Sequence, residues 1–234
     1  MNVAMYIKNE LKKNKKGELF SSKKEYNKNF TGINESNYYK VLERLVKSGE
    51  LVKVSKGIYS IPKVTKYGLL NPSESEIIQT YIKNEEDGCE VSYGLYNKLG
   101  LTTQISKKRV FYCNSIEENQ KKIGMMYFSR KSIIFTKENV KVIEMLEVLQ
   151  NFNKIQDLNY VAFYKYCMEF SEIYNEKTFG NVISKIKYKK STLAFFEQIL
   201  NHFNVNNNIK QHLSTLSKYK IPEWRKKHDF IWSI

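Results

Sequence analysis

Residues 34–62, NESNYYKVLERLVKSGELVKVSKGIYSIP, read as one amphipathic helix followed at once by a two-stranded hairpin. Tyr38, Val41, Leu42 and Leu45 fall at i, i+3, i+4 and i+7, a stripe that faces a core. The opposite face carries Ser36, Lys40, Glu43 and Lys47, flanked by Asn37 and Arg44 on one side and Tyr39 on the other. Asn34 is a good N-cap, and Gly49 after Ser48 supplies a left-handed C-cap. Two β-rich runs, Leu51, Val52, Val54 and then Ile58, Tyr59, Ile61, surround the turn Ser55, Lys56, Gly57, and Pro62 closes the second.

Upstream, Val3, Tyr6, Ile7 and Leu11 predict a first amphipathic helix over 3–13. Ser22 with Glu25 predicts a capping box on a short second helix, Lys23 to Lys28, and Gly32 a tight turn before Asn34. Three helices and a hairpin, with a basic exposed face, have the order of a winged helix-turn-helix. In such a fold the N-terminal part of the third helix reaches base edges: Asn bonds adenine, and Lys or Arg bonds guanine. Ser36, Asn37 and Lys40 are the base-reading candidates, and Asn34, Tyr39, Arg44 and Lys47 complete that face. Lys53, Ser55 and Lys56 on the wing would meet phosphate, adding affinity and salt dependence without reading sequence. Glu43 argues against deep insertion, unless it accepts from a cytosine amino group.

Charge supports the same end of the chain. The net formal charge is +15, and residues 1–66 hold 15 Lys or Arg against 6 Asp or Glu. Residues 67–140 hold 10 against 9, and residues 141–234 hold 14 against 9. A basic excess favours an anionic partner. A generally Lys-rich composition, and a winged helix used only as a protein platform, are the alternatives. Cys89, Cys113 and Cys167 form no CxxC pair, so reduced thiols in a cytoplasmic protein are expected, and no apolar run is long enough for a signal peptide or a membrane span.

The middle of the chain predicts a small α/β domain on an antiparallel sheet. Ser73 and Glu76 form a capping box ahead of Ile77, Ile78, Tyr81 and Ile82; Asn84 to Gly88 is a loop; Tyr93, Leu95, Tyr96 and Leu99 make a short helix ended by Gly100. Strand-like runs follow at Arg109–Cys113, Gly124–Phe128 and Ser132–Phe135. From Val140 onward apolar stripes predict a bundle of about five helices, with breaks near Asn153 to Asp157, Gly180 and Asn204 to Asn208. In the tail WRKKHDFIW, Arg225, Lys226 and Lys227 read as solvated, with DNA contact the other reading.

A basic winged helix ending KGIYSIPK, then YGLLNPSESEII, then SYGLYNKLGLTTQI, resembles the AbiEi-type antitoxin family of abortive-infection, type IV toxin–antitoxin systems. The matching motifs run from about Phe20 to Phe128, and LGLTTQ is the most specific. The resemblance implies an antitoxin that represses its own promoter, usually at inverted repeats, and counteracts a cognate nucleotidyltransferase-like toxin directly or indirectly. Asn97, Thr102, Thr103 and Gln104 are the candidate partner surface within it; helix-end capping and turn bonding explain the same residues.

No nucleophile motif, P-loop, dinucleotide loop or metal-ligand spacing is present, and His202 and His212 are ten residues apart, too far for a one-turn metal pair. Neither an enzyme nor a cofactor is expected. The expected fold is α+β: a winged helix-turn-helix over 1–66, a small α/β domain over 67–139 and a helical domain over 140–234, with double-stranded DNA and a toxin as partners and no membrane. A stand-alone regulator or adaptor whose helical part binds another protein is the alternative.

Overall fold

The computed structural model describes residues 2–224, so Arg225, Lys226 and Lys227 lie outside it. The fold is mixed α+β, and the chain divides into two compact units: residues 2–83 with 122–124, and residues 84–121 with 125–224.

In the first unit the order is α1 (Val3–Leu11), β1 (Leu19–Ser21), α2 (Ser22–Asn29), α3 (Glu35–Lys47), β2 (Val52–Ser55) and β3 (Ile58–Ser60). The strands form an antiparallel sheet in the order β1-β3-β2. β1 was not anticipated: Leu19 and Phe20 are too short a run to signal a strand, and they become one by pairing with β3. It runs straight into α2, so the cap falls one residue early. Ser21 accepts from Lys24 N at 3.4 Å, while Ser22 is buried and its hydroxyl donates to Gly57 O at 3.2 Å. The Ser22/Glu25 capping box is therefore replaced.

The stripe on α3 is buried as its spacing requires: Tyr38, Val41, Leu42 and Leu45 pack with Ile7, Leu11, Phe20, Phe30, Leu51 and Tyr59. Tyr38 is the centre. Its ring lies 5.1 Å from Phe30 and 5.3 Å from Tyr26, and its hydroxyl donates to Ser22 O at 3.1 Å. Burying such a side chain contributes about 2–3 kcal/mol, and the hydrogen bond removes the cost of a buried hydroxyl. Gly49, at φ 74°, ends α3, and the following N–H groups of Glu50 and Leu51 both reach Leu45 O.

A second ribbon follows, β4 (Lys63–Thr65) with β5 (Gly68–Leu70), and then α4 (Glu74–Tyr81). The capping box of Ser73 and Glu76 is formed, and Ile77 and Tyr81 are buried. Lys63 pairs with Glu76, which together with the Ser73 backbone bond pulls the Glu76 carboxyl down to about 2.

Next in the chain comes a four-stranded sheet in the order β6-β7-β9-β8: β6 (Gly88–Glu90), β7 (Arg109–Cys113) and β9 (Met126–Arg130) belong to the second unit, and β8 (Gln120–Ile123) begins there. α5 (Tyr93–Lys98) follows β6 in sequence. The antiparallel expectation holds for β6 with β7 but not for β7 with β9, which run parallel because β8 intervenes in sequence and occupies the edge. Ser132 to Phe135 is not a strand, although Ile133 and Phe135 are buried and Ile134 is exposed.

The helices of this unit are α6 (Lys137–Asn151), α7 (Tyr160–Glu172), α8 (Glu176–Lys185) and α9 (Lys190–His202), with short 3-10 turns at Phe152–Lys154 and Ile209–His212. Gly180 lies inside α8 rather than at a break; no side chain crowds it, and the cost of glycine in a helix is about 1 kcal/mol, small enough for packing to outweigh. The predicted last helix reduces to the 3-10 turn, with Leu216 exposed. One core includes Val91, Leu95, Tyr96, Leu101 and Phe135 together with Leu146, Phe163, Phe179, Phe196 and Trp224. Residues on either side of position 139 thus share a core, and the expected boundary there is not a boundary in packing.

Among the described residues no helix is long and apolar enough to cross a membrane.

Candidate nucleic-acid interface

α3 owes its start to Asn34. Its Oδ1 accepts from Ser36 N at 3.0 Å, Asn37 N at 3.4 Å and Ser36 Oγ at 2.7 Å. These bonds satisfy helix-start donors, and they make Asn34 a cap whose oxygen is already saturated. The Ser36 hydroxyl proton is likewise committed to Asn34, while its lone pairs stay open. Asn37, Lys40, Arg44 and Lys47 are exposed, and Tyr39 is half-buried with its ring 5.3 Å from Tyr38. Since Tyr38, Val41, Leu42 and Leu45 take the buried stripe, the polar side chains are forced outward together.

The hairpin is shaped by its turn. β2 and β3 pair Val52 with Ser60, Lys53 with Tyr59 and Ser55 with Ile58, and the register shifts between Lys53 and Ser55. Gly57 has φ 73°, which fits glycine at a tight connection. Lys53 and Lys56 are exposed, and Ser55 is half-buried. Burial first, and then the Glu43 carboxylate, push the Tyr59 hydroxyl above its ordinary range, so Tyr59 stays neutral beside this surface.

The cations of the first unit fall into two groups. Lys8 and Lys12 meet Glu50 at 2.6 and 4.0 Å, Lys13 meets Glu10 at 2.6 Å, and Lys63 meets Glu76. Lys40, Arg44, Lys47, Lys53 and Lys56 are in no ion pair among the described residues. Lys23 and Lys28 of α2 are exposed and unpaired too. Sequence reasoning gave those two no role, although the run SSKKEYNKNF carried the signal. An array of unpaired cations beside amide and hydroxyl groups can neutralise phosphates and bond base edges.

The profile of one protein family, described as a family of unknown function (DUF6088), matches residues 6–162, about two thirds of the chain. The chain belongs to DUF6088. No curated protein matches the chain. The part shared with DUF6088 takes in α3, both hairpins and the four-stranded sheet, and it stops just inside α7.

The second set of candidates also lies within the DUF6088 segment. Asn97 Nδ2 donates to Gln104 O at 3.2 Å, Thr102 Oγ1 donates to Gln156 O at 2.7 Å and accepts from Gln104 N at 3.1 Å, and Gln104 Nε2 donates to Asp157 Oδ2 at 2.6 Å. Together with Asn159 N on Leu101 O at 2.7 Å, these bonds fasten the loop after α5 to the loop before α7. Thr103 points to solvent, next to Ile105, which is 90% exposed and which sequence reasoning passed over. Among the described residues no three His, Cys, Asp or Glu side chains are grouped so as to hold a metal ion.

Proposed function

We propose that this DUF6088 chain binds double-stranded DNA through α3 and the β2–β3 hairpin, as a winged helix-turn-helix, and serves as the autorepressing antitoxin of an AbiEi-type system. The observation that carries the DNA reading is the set of exposed, unpaired cations on α3 and the hairpin, in the part of the chain that holds more than half of the net charge. The element order and the β1-β3-β2 sheet support the winged-helix assignment, with α2 and α3 as the helix pair and Lys56 at the wing tip. Ser36, Asn37 and Lys40 read bases; Arg44, Lys47, Lys53 and Lys56 hold phosphates. Helices α6 to α9 are read as the helical bundle of the partner-facing half.

The antitoxin half rests on the motif resemblance. A stand-alone regulator is the second reading, and the internal hydrogen bonds of Asn97, Thr102 and Gln104 favour it, because they spend on the fold the groups that would otherwise meet a partner. A gel shift on the chain's own promoter tests the shared DNA claim; absence of any salt-sensitive shift overturns it. A nucleotidyltransferase-like reading frame beside the gene, and rescue of its toxicity by this chain, separate the two readings.

A further inference from the structure

A cavity of about 410 Å³ in the second unit lies between β6, α5 and the first turns of α6, within the size range of small-molecule sites. Along α6 it is lined by Lys137, Val140, Lys141 and Glu144, which recur at i, i+3, i+4 and i+7 and so share one face. Two charges here are poorly answered. Glu144 is 8% exposed, yet its one ion-pair partner among the described residues is Lys98, whose Nζ lies 3.5 Å away on a side chain that is 72% exposed. Burial pushes the Glu144 carboxyl up, and Lys98 and then Lys141 only partly counter it. A buried carboxylate held this loosely carries an unrepaid desolvation cost. On the same face, Lys137 and Lys141 are exposed and form no ion pair among the described residues.

Two neighbouring features sharpen the contrast. Glu90, also in the lining, is fully engaged: Arg109 donates to both its oxygens, at 3.3 and 2.5 Å, and Ser92 donates at 2.9 Å. The hydroxyl of Tyr166, a buried oxygen on a half-buried side chain that feels the charge of Glu144, has no hydrogen-bond partner among the described residues. Such a hydroxyl is rare in a finished core. Glu144 thus offers an acceptor with one long donor contact, and Lys141, three residues earlier and about 4.5 Å along the helix axis, offers a cation that feels the charges of Glu144 and Glu138 but has no anion within ion-pair distance among the described residues.

We infer that this cavity binds a small zwitterion, a free amino acid or close analogue, with its ammonium on Glu144 in place of Lys98 and its carboxylate on Lys141 and Lys137. Neither charge alone satisfies both ends of the face. The inference stands apart from the DNA reading, since it concerns the second unit only.

The test is a thermal-shift and calorimetric titration of the full chain with a panel of free amino acids, and with n-butylamine and butyrate as single-charge probes. At least one amino acid is expected to raise the melting temperature saturably, with both single-charge probes far weaker. Glu144→Gln, which keeps volume and can still accept from Lys98, is expected to weaken binding about thirtyfold or more, and Lys137→Ala with Lys141→Ala to weaken it as well. The ligand-free melting temperature of each variant confirms folding. Lack of binding by every amino acid, equal binding of n-butylamine, or unchanged affinity in folded Glu144→Gln would each overturn the inference.

Discussion

Ser22 and Gly57 are joined twice: the backbone N–H of Ser22 donates to Gly57 O at 2.9 Å and its buried hydroxyl donates to the same oxygen at 3.2 Å. The first residue of α2 is thereby tied to the turn of the β2–β3 hairpin, 35 positions away. Ser22→Ala removes one of the two bonds and is expected to cost about 1 kcal/mol. Gly57→Ala meets no clash, since its nearest neighbour would be Ser22 Oγ at 3.8 Å, but φ 73° should cost about 1–2 kcal/mol. Urea denaturation reads both; if neither lowers the midpoint, the hairpin turn is not held by this contact.

For the proposed DNA surface, Lys40→Ala with Arg44→Ala is expected to abolish the promoter shift and leave the melting temperature within a degree or two, because neither side chain is buried or, among the described residues, ion-paired. Lys53→Ala with Lys56→Ala should weaken binding to all sequences alike and reduce the slope of log K against log salt by about 2. A double variant at Lys40 and Arg44 that still represses would displace α3 from its assigned role.

Glu147 gives a pH prediction. It is 4% exposed, accepts from the Tyr112 hydroxyl at 2.7 Å and from Asn151 Nδ2 at 3.4 Å, and burial raises its pKa. A carboxyl whose folded pKa is above its unfolded value binds more protons when folded. Stability from this group is therefore largest below the unfolded pKa and falls as pH rises through the folded one. Glu147→Gln should flatten that decline, since its oxygen still accepts from Tyr112. Melting temperatures of the two proteins from pH 4 upward make the comparison, and parallel curves would refute it.

Glu76 has the opposite sign. Its carboxyl is held down to about 2 by Lys63 and Ser73, so its contribution is present above the ordinary carboxylate pKa and is lost as pH falls toward 2. Ser73→Ala removes the other half of the capping box and is expected to cost about 1 kcal/mol at neutral pH. Acid titrations of Glu76→Gln should lack the part of the transition that this group supplies.

What could be read in advance followed from periodicity and chain-local chemistry. The buried stripe of α3, the Asn34 cap, the Gly49 stop and the Ser73 box each depend on residues within one or two turns of one another. β1 and β6 escaped notice because Leu19–Ser21 and Gly88–Glu90 have no alternating pattern and exist only through partners remote in sequence, and β8 because the polar run Gln120–Ile123 gives little strand signal although its partner β9 follows directly. Trp224 is another such case: it opens a tail of mixed character, WRKKHDFIW, yet it is 2% exposed against Phe163 and Phe195. At the candidate interface the outward face and the Asn34 cap were legible, but that the cap saturates the oxygen also offered to DNA was not, because asparagine serves both tasks.

Helix α6 straddles the question of where this fold can be cut. Nine of its fifteen residues are buried, and α8 and α9 pack on it, yet the segment common to DUF6088 ends at residue 162, before either begins. The matched segment of this chain therefore contains α6 but neither of these two helices that cover it. A fragment of this chain stopped at residue 162 would bare apolar surface on α6 to water, so the matched segment leans for its own closure on residues that lie beyond it.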